Sequence, residues 1–230
     1  PEVGVHIISS NTHSVTNCLN PWFRTQGAVI TDWAKGEDHP DLQVSWRYED
    51  DALYSLARSY FKERKDARRE LAEYGHRFGI RRLKDTASTG IEVQLIDLSQ
   101  LIGAPVDKEI VSVGTQNRDI IINIDYAFGE QAEHIIRNLL MLFGRSVRSV
   151  NFLGKAGALQ GKRGDVLAPT AFIEQATDLF QPLPDRPSES IEALQRRLEG
   201  NEVHRGPMLT AEGTLLQNRL MLNFYRHIWQ

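Results

Sequence analysis

Cysteine is almost absent: Cys18 is the only one in 230 residues. One cysteine excludes an intrachain disulfide framework and any zinc site built on several thiolates, and it suits a reducing, cytoplasmic compartment. Long apolar runs are missing as well. No stretch approaches the ~18 consecutive apolar residues a bilayer-spanning helix needs, and no signal peptide is recognisable, so no membrane partner is expected. Neither sign of charge dominates: 27 Lys and Arg against 30 Asp and Glu leave a formal charge of −3. Without a basic field there is nothing to draw nucleic acid, and the mixed cluster at 62–70 reads as a solvated helix face. Several catalytic signatures are also missing. There is no G-x-S-x-G elbow, no H-E-x-x-H among the seven scattered histidines, no Lys-Ser/Thr phosphate loop and no G-x-G-x-x-G after a strand. No metal or organic cofactor is therefore expected.

What remains is ordinary globular material, 41% hydrophobic and 25% charged, enough for one large domain or two small ones. Strands are expected over 3–8, 28–33, 42–46, 91–98, 120–124, 150–153, 165–169 and 203–210. Apolar positions at three- and four-residue spacing predict a long helix from Glu49 to a stop at Gly79, with a basic polar connection over 80–90. A second helix has Ala132, Ile135, Ile136, Leu139, Leu140 and Phe143 on one face and ends at Gly144. Pro182, Pro184 and Pro187 mark a surface loop. Short and longer helices are expected over 188–198 and 214–229. The pattern reads as α/β, with an N-terminal segment over 1–89 and a core over 90–230. The run 119–154 is a βαβ unit that predicts adjacent parallel strands. The chain opens on Pro1 and stops on Trp229-Gln230 at the end of a helical pattern, as a piece of a longer protein would.

Two places are candidates for chemistry on residue type alone. The polar cluster Ser9, Ser10, Asn11, Thr12, His13, Ser14 and Asn17 follows a strand and opens a helix, a place that can hold phosphate or another anion. His13 there is either an acid–base group or a capping and packing residue. The other is the small-residue loop Gly154, Lys155, Ala156, Gly157 at a strand's carboxyl end, where backbone N–H groups can approach a ligand. Asp125, at another strand end, is either a ligand contact or a turn aspartate.

The second place extends into a longer pattern. Gly154, Ala156, Gly157 and Leu159 precede Gly164, Asp165 and Val166, and then a strand closing with Pro169 and Thr170. His204, Gly206, Thr210, Glu212 and Gly213 follow at fixed spacing. Over about residues 90–230 this resembles the nucleoside phosphorylase and nucleosidase superfamily. Two loop positions depart from it: Ala158 stands where a glycine is common, and Lys155 adds a cation. The family's G-x-G-K-x-N-A turn is mostly replaced over 124–132.

The resemblance implies a phosphorylase-like fold: α/β, with a mixed, mostly parallel central sheet flanked by helices. It implies action on the N-glycosidic bond of a nucleoside or nucleotide, by glycosyl transfer to phosphate as co-substrate or by hydrolysis. The alternative is a non-catalytic nucleotide-binding or regulatory module. Gly154, Lys155, Ala156, Gly157, Thr210 and Glu212 become substrate-binding candidates, with Glu212 equally readable as a helix cap. Asn11, His13, Ser14 and Asp125 are the further candidates, and homo-oligomers are implied too. The family's ribose-holding glutamate and base-protonating acid have no counterpart up to Gln230.

Overall fold

The computed structural model describes residues 3–83, 90–110, 114, 116–127, 129–154, 156–157, 159, 161–174, 177, 179–184, 188–198 and 200–210. The chain divides into two compact units, Pro1–Gly154 and Lys155–Gln230. The expected boundary near residue 89 falls inside the first unit, between two strands paired in one sheet. The helix expected over 214–229 lies outside the described residues.

The first unit is built on a five-stranded sheet. Its strands are β1 (Val5–Ser9), β2 (Ile80–Leu83), β3 (Val93–Asp97), β4 (Ile120–Ile124) and β5 (Val147–Phe152), in the order β2-β3-β4-β1-β5. β1 pairs in parallel with both β4 and β5, whereas β2–β3 and β3–β4 are antiparallel. The sheet is thus mixed, with half its pairings antiparallel, and not mostly parallel. The expected neighbours β4 and β5 are parallel but not adjacent, because β1 lies between them. Helix α5 (Gly129–Phe143) therefore crosses over one intervening strand. Periodicity in 119–154 could not reveal a strand inserted from a hundred residues upstream.

Both sheet faces are covered. On one, Ile135, Ile136 and Leu139 of α5 pack on Val5, Ile7, Ile122 and Ile124. On the other, Val15 and Leu19 of α1 (Thr12–Leu19) pack with Ile80, Ile96, Leu98 and Ile121. Burial on both faces explains why β4 is β-branched at every position but Asn123.

A helical layer follows α1, and here the expected strands are corrected. Residues 28–33 lie in helix α2 (Trp22–Gly36), and 42–46 begin in a 3₁₀ turn at Pro40–Gln43. The β-branched run Val29-Ile30-Thr31 suggested a strand. Packing overrides that propensity: Trp22, Phe23, Ile30 and Ala34 share a helical face buried against Leu56, Ala57 and Ala67. Trp22 stacks on Phe61 with ring centroids 5.5 Å apart, and Phe23 meets Tyr54 edge-on at 5.1 Å. The single long helix expected from Glu49 is two, α3 (Glu49–Glu63) and α4 (Lys65–Arg77), broken where Arg64 leaves helical geometry at φ −105° and ψ 81°.

Gly79 stops α4 as expected, with φ +78°; a Cβ there would lie 3.0 Å from the Asp97 carbonyl oxygen. The basic stretch expected as a connection begins as strand β2 instead, because Ile80 is buried against the α1 side of the sheet.

The second unit holds a three-stranded sheet, β6 (Val166–Glu174), β7 (Leu179–Pro182) and β8 (Val203–Thr210), in the order β7-β6-β8. β7, which was not expected, ends at Pro182, the first of the three prolines expected to mark a surface loop. Helix α6 (Ser188–Arg197) precedes β8, which runs parallel to β6. Pro169 sits inside the central strand because the β6–β8 register slips between Pro169 and Ala171, an irregularity that accommodates its missing N–H. Among the described residues no helix is long and apolar enough to cross a membrane.

Ile7 occupies the centre of the first sheet, fully buried beneath α5. Ile7→Ala should lower the unfolding free energy by about 2–5 kcal/mol, read from urea denaturation; a loss under ~1 kcal/mol would contradict this packing.

Candidate functional site

In the first unit β1 and β4 lie side by side and parallel, yet the chain leaves them toward opposite faces. After β1 it enters α1 on one face, and after β4 it enters α5 on the other. Diverging connections open a crevice beyond the strands' carboxyl ends, the usual ligand position in open α/β sheets. Three strand ends meet here. The Ser10 N–H donates to the Ile124 carbonyl at 2.9 Å, and the Leu153 N–H donates to the Ser9 carbonyl at 3.0 Å. Ser10, Asp125 and Gly154, far apart in sequence, thereby come to the same edge of one sheet.

This edge of the sheet is polar and anchored. Ser9, Ser10 and Thr12 are buried, and Asn123 is fully buried. Asn11 caps α1, its Oδ1 accepting the His13 N–H at 2.8 Å. Asn123 donates to Gln94 Oε1 at 3.0 Å, and Thr16 donates to the same oxygen at 2.7 Å. Gln94 in turn donates to Glu92, which pairs with Arg82 at 2.6 Å. Asn123 Oδ1 has no hydrogen-bond partner among the described residues. This network ties the first turn of α1 to β3 and β4. It was invisible in the sequence, where Asn123 was absorbed into an apolar strand; one amide inside Ile-Ile-Ile-Asn-Ile was the available signal.

Asn11, His13, Ser14 and Asp125 are therefore brought together at one edge. His13 and Ser14 are exposed on the first turn of α1. Asp125 accepts the Tyr126 N–H at 2.9 Å, so it also shapes its own turn. Gly154 is exposed, and among the described residues no atom beyond its chain neighbours lies within 4 Å of where a Cβ would stand.

The other candidates belong to the second unit or fall outside the described residues. Gly157 is as open as Gly154, and Ala156 beside it is exposed. The Thr210 hydroxyl donates to the Ile173 carbonyl at 3.2 Å, at the exposed end of β8. Lys155 and Glu212 lie outside the described residues.

The Gly164-Asp165-Val166 segment has a role that needs no ligand. Asp165, its side chain only 5% exposed, accepts the Lys162 N–H at 2.7 Å and the Glu202 N–H at 3.0 Å, and meets His204 Nε2 at 3.0 Å. The carboxylate thus clamps the turn before β6 to the start of β8. Gly161 is required beside it, with φ +90° and a Cβ position 2.7 Å from His204 Nε2. The two backbone N–H groups, with His204, hold the Asp165 carboxyl down at about 2.

A second polar cluster joins the helices to the loop over 104–110. Arg24 forks onto Asp50 and donates through Nε to the Val106 carbonyl at 3.1 Å. Tyr54 donates to Asp107 at 2.5 Å. Burial works against the Asp50 carboxylate, but Arg24 and the Lys108 N–H outweigh it and hold its pKa low. Burial, with Asp107, Asp51 and Asp50 nearby, pushes the Cys18 thiol up to about 11. Such a thiol is protonated at neutral pH and is a poor nucleophile. Among the described residues no group of three or more His, Cys, Asp or Glu side chains is placed to hold a metal ion.

The Asp165 clamp has a definite pH signature. Its folded pKa is depressed below the ordinary aspartate value of 3.8, so the stability it adds is present above that value and is lost as pH falls toward about 2. Asp165→Asn should destabilise the protein at pH 7, with the difference from wild type narrowing between pH 4 and 2 in thermal melts. A difference unchanged across that window would assign the loss to something other than the carboxylate's charge.

Residues 1–229 match the profile of a family described as a family of unknown function (DUF6909), and the chain belongs to that family. No curated protein and no solved structure matches it.

Proposed function

We propose that this DUF6909 member binds a nucleoside or nucleotide at the carboxyl ends of β1, β4 and β5, with chemistry at the N-glycosidic bond. The observation that carries the reading is the divergence of connections between β1 and β4, which leaves Ser10, Asn11, His13, Ser14 and Asp125 together at the strands' carboxyl ends. The amino end of α1 favours an anion, phosphate as co-substrate or a nucleotide's own phosphate. Asp125 supplies an acceptor for a base or ribose N–H or O–H, and Gly154 leaves room for close approach. The nucleoside assignment rests on the resemblance over 150–170 and 204–213.

One observation favours the second reading, a nucleotide-binding module without turnover. Asp165 and His204, the carboxylate and imidazole of the two resembling segments, are engaged with each other and with backbone. They serve the fold of their unit and supply no evident acid or base.

Calorimetry against inorganic phosphate, nucleosides and nucleoside monophosphates tests the binding. At least one should bind, and Asn11→Ala and His13→Ala should each weaken an anionic ligand by about 1 kcal/mol or more. Lys155→Ala should weaken phosphate similarly if its cation serves the same ligand. Absence of binding across the panel overturns the proposal. Release of free base, with and without phosphate, separates phosphorolysis, hydrolysis and binding alone.

A further inference from the structure

The two edges of the five-stranded sheet are built differently. β2 is short, four residues with exposed Arg81 and Arg82, and charge on a short edge discourages pairing with another chain. β5 has six residues, contains no proline, carries Arg148 as its one charge, and pairs only with β1 among the described residues. Its outer edge thus offers backbone groups for a further strand, beside apolar side chains.

A groove of about 550 Å³ lies along α5 and reaches the end of β5 at Phe152, lined otherwise by Ala132, Ile136, Leu140 and Met141, with Glu133 and Arg137 also in its wall. Its apolar members are unusually exposed: Met141 69%, Phe152 65% and the adjoining Leu153 66%, with Leu140 and Val150 near 40%. Isolated exposed apolar residues are normal, but a cluster beside an open strand edge marks an interaction surface.

We propose that this surface is where a second copy of the chain binds, with β5 pairing antiparallel to β5 of the partner about a two-fold axis normal to the sheet. Such an axis continues the five-stranded sheet into one of ten strands and satisfies both edges with one contact. It sets the two α5 helices antiparallel on the same face, so that each Phe152 fills the groove beside the other copy's α5. The rim charges do not oppose the contact, since Arg137 and Glu133 neutralise each other within α5 as an i,i+4 ion pair. The exposed apolar side chains amount to roughly 500 Å² per copy, at about 200 Å² for a fully exposed large side chain. The strand backbone and rim add to this, approaching the ~800 Å² each partner gives a standard interface.

The test is sedimentation equilibrium of the full chain from about 1 to 50 μM, a span covering micromolar dissociation constants. Wild type should show a monomer–dimer equilibrium within it. Phe152→Glu and Met141→Glu should each weaken dimerisation at least tenfold while leaving circular dichroism and the melting temperature unchanged. Val150→Cys adds a thiol near the axis, and it should give a disulfide-linked dimer on oxidation that is absent from wild type, whose single Cys18 is partly buried. A wild type monomeric at 50 μM overturns the proposal, whether the groove is then covered by another segment of the chain or by a different protein. A dimer indifferent to both glutamate substitutions, and not cross-linked through the thiol that Val150→Cys introduces, equally overturns it, because the contact would then lie elsewhere.

Discussion

β1 is the strand on which the first unit depends. It is hydrogen-bonded in parallel to β4 on one side and β5 on the other, and Ile7 on it is fully buried. Parallel pairs cannot be joined by tight turns, so each requires a crossover. The β4–β5 crossover is α5. The path from β1 to β4 consumes more than a hundred residues and carries all of α1 to α4 and the β2–β3 pair. The helical layer is thus an elaborated connection, and its interior is stabilised by its own aromatic cluster of Trp22, Phe23 and Phe61.

That topology also produces the candidate site. Because the chain leaves β1 and β4 toward opposite faces, neither departing helix closes over their carboxyl ends. The residues there are polar for a local reason, since Asn11 must cap α1, and for a tertiary reason, since Asn123, Gln94 and Thr16 must satisfy one another beneath it. A buried amide network of this kind costs free energy wherever it is incompletely paired, and Asn123 Oδ1 is unpaired among the described residues. The bonds that are made still tie α1 to β3 and β4, while His13, Ser14 and Gly154 nearby are exposed.

The second unit shows how motif residues can divide between structure and ligand. Asp165 accepts two backbone N–H groups and faces His204, and Gly161 is needed because any side chain would collide with that pair. Among the described residues, Gly157 there and Gly154 at the end of the first unit meet nothing within 4 Å of a Cβ position. Within one stretch of about ten residues, glycine is thus demanded by packing at one end and by no described neighbour at the other.

Local rules were sufficient for much of the architecture. β1, β4, β8, α5, the Asn11 cap and the Gly79 stop all follow from short-range signals: β-branched runs, a 3.6-residue apolar period, a capping side chain and a positive φ. The same rules misread 28–33, because propensity over six residues cannot register that Ile30 and Ala34 share a buried face with Trp22. They could not order the strands either. Placing β1 between β4 and β5, and turning β3 against β4, depends on contacts between segments remote in sequence, whose energy comes from burying two faces at once and leaves no periodic trace. Asn11, His13, Ser14 and Asp125 were each legible as polar residues at element ends. That they share one crevice was decided by strand order, and strand order is a property of the packed sheet.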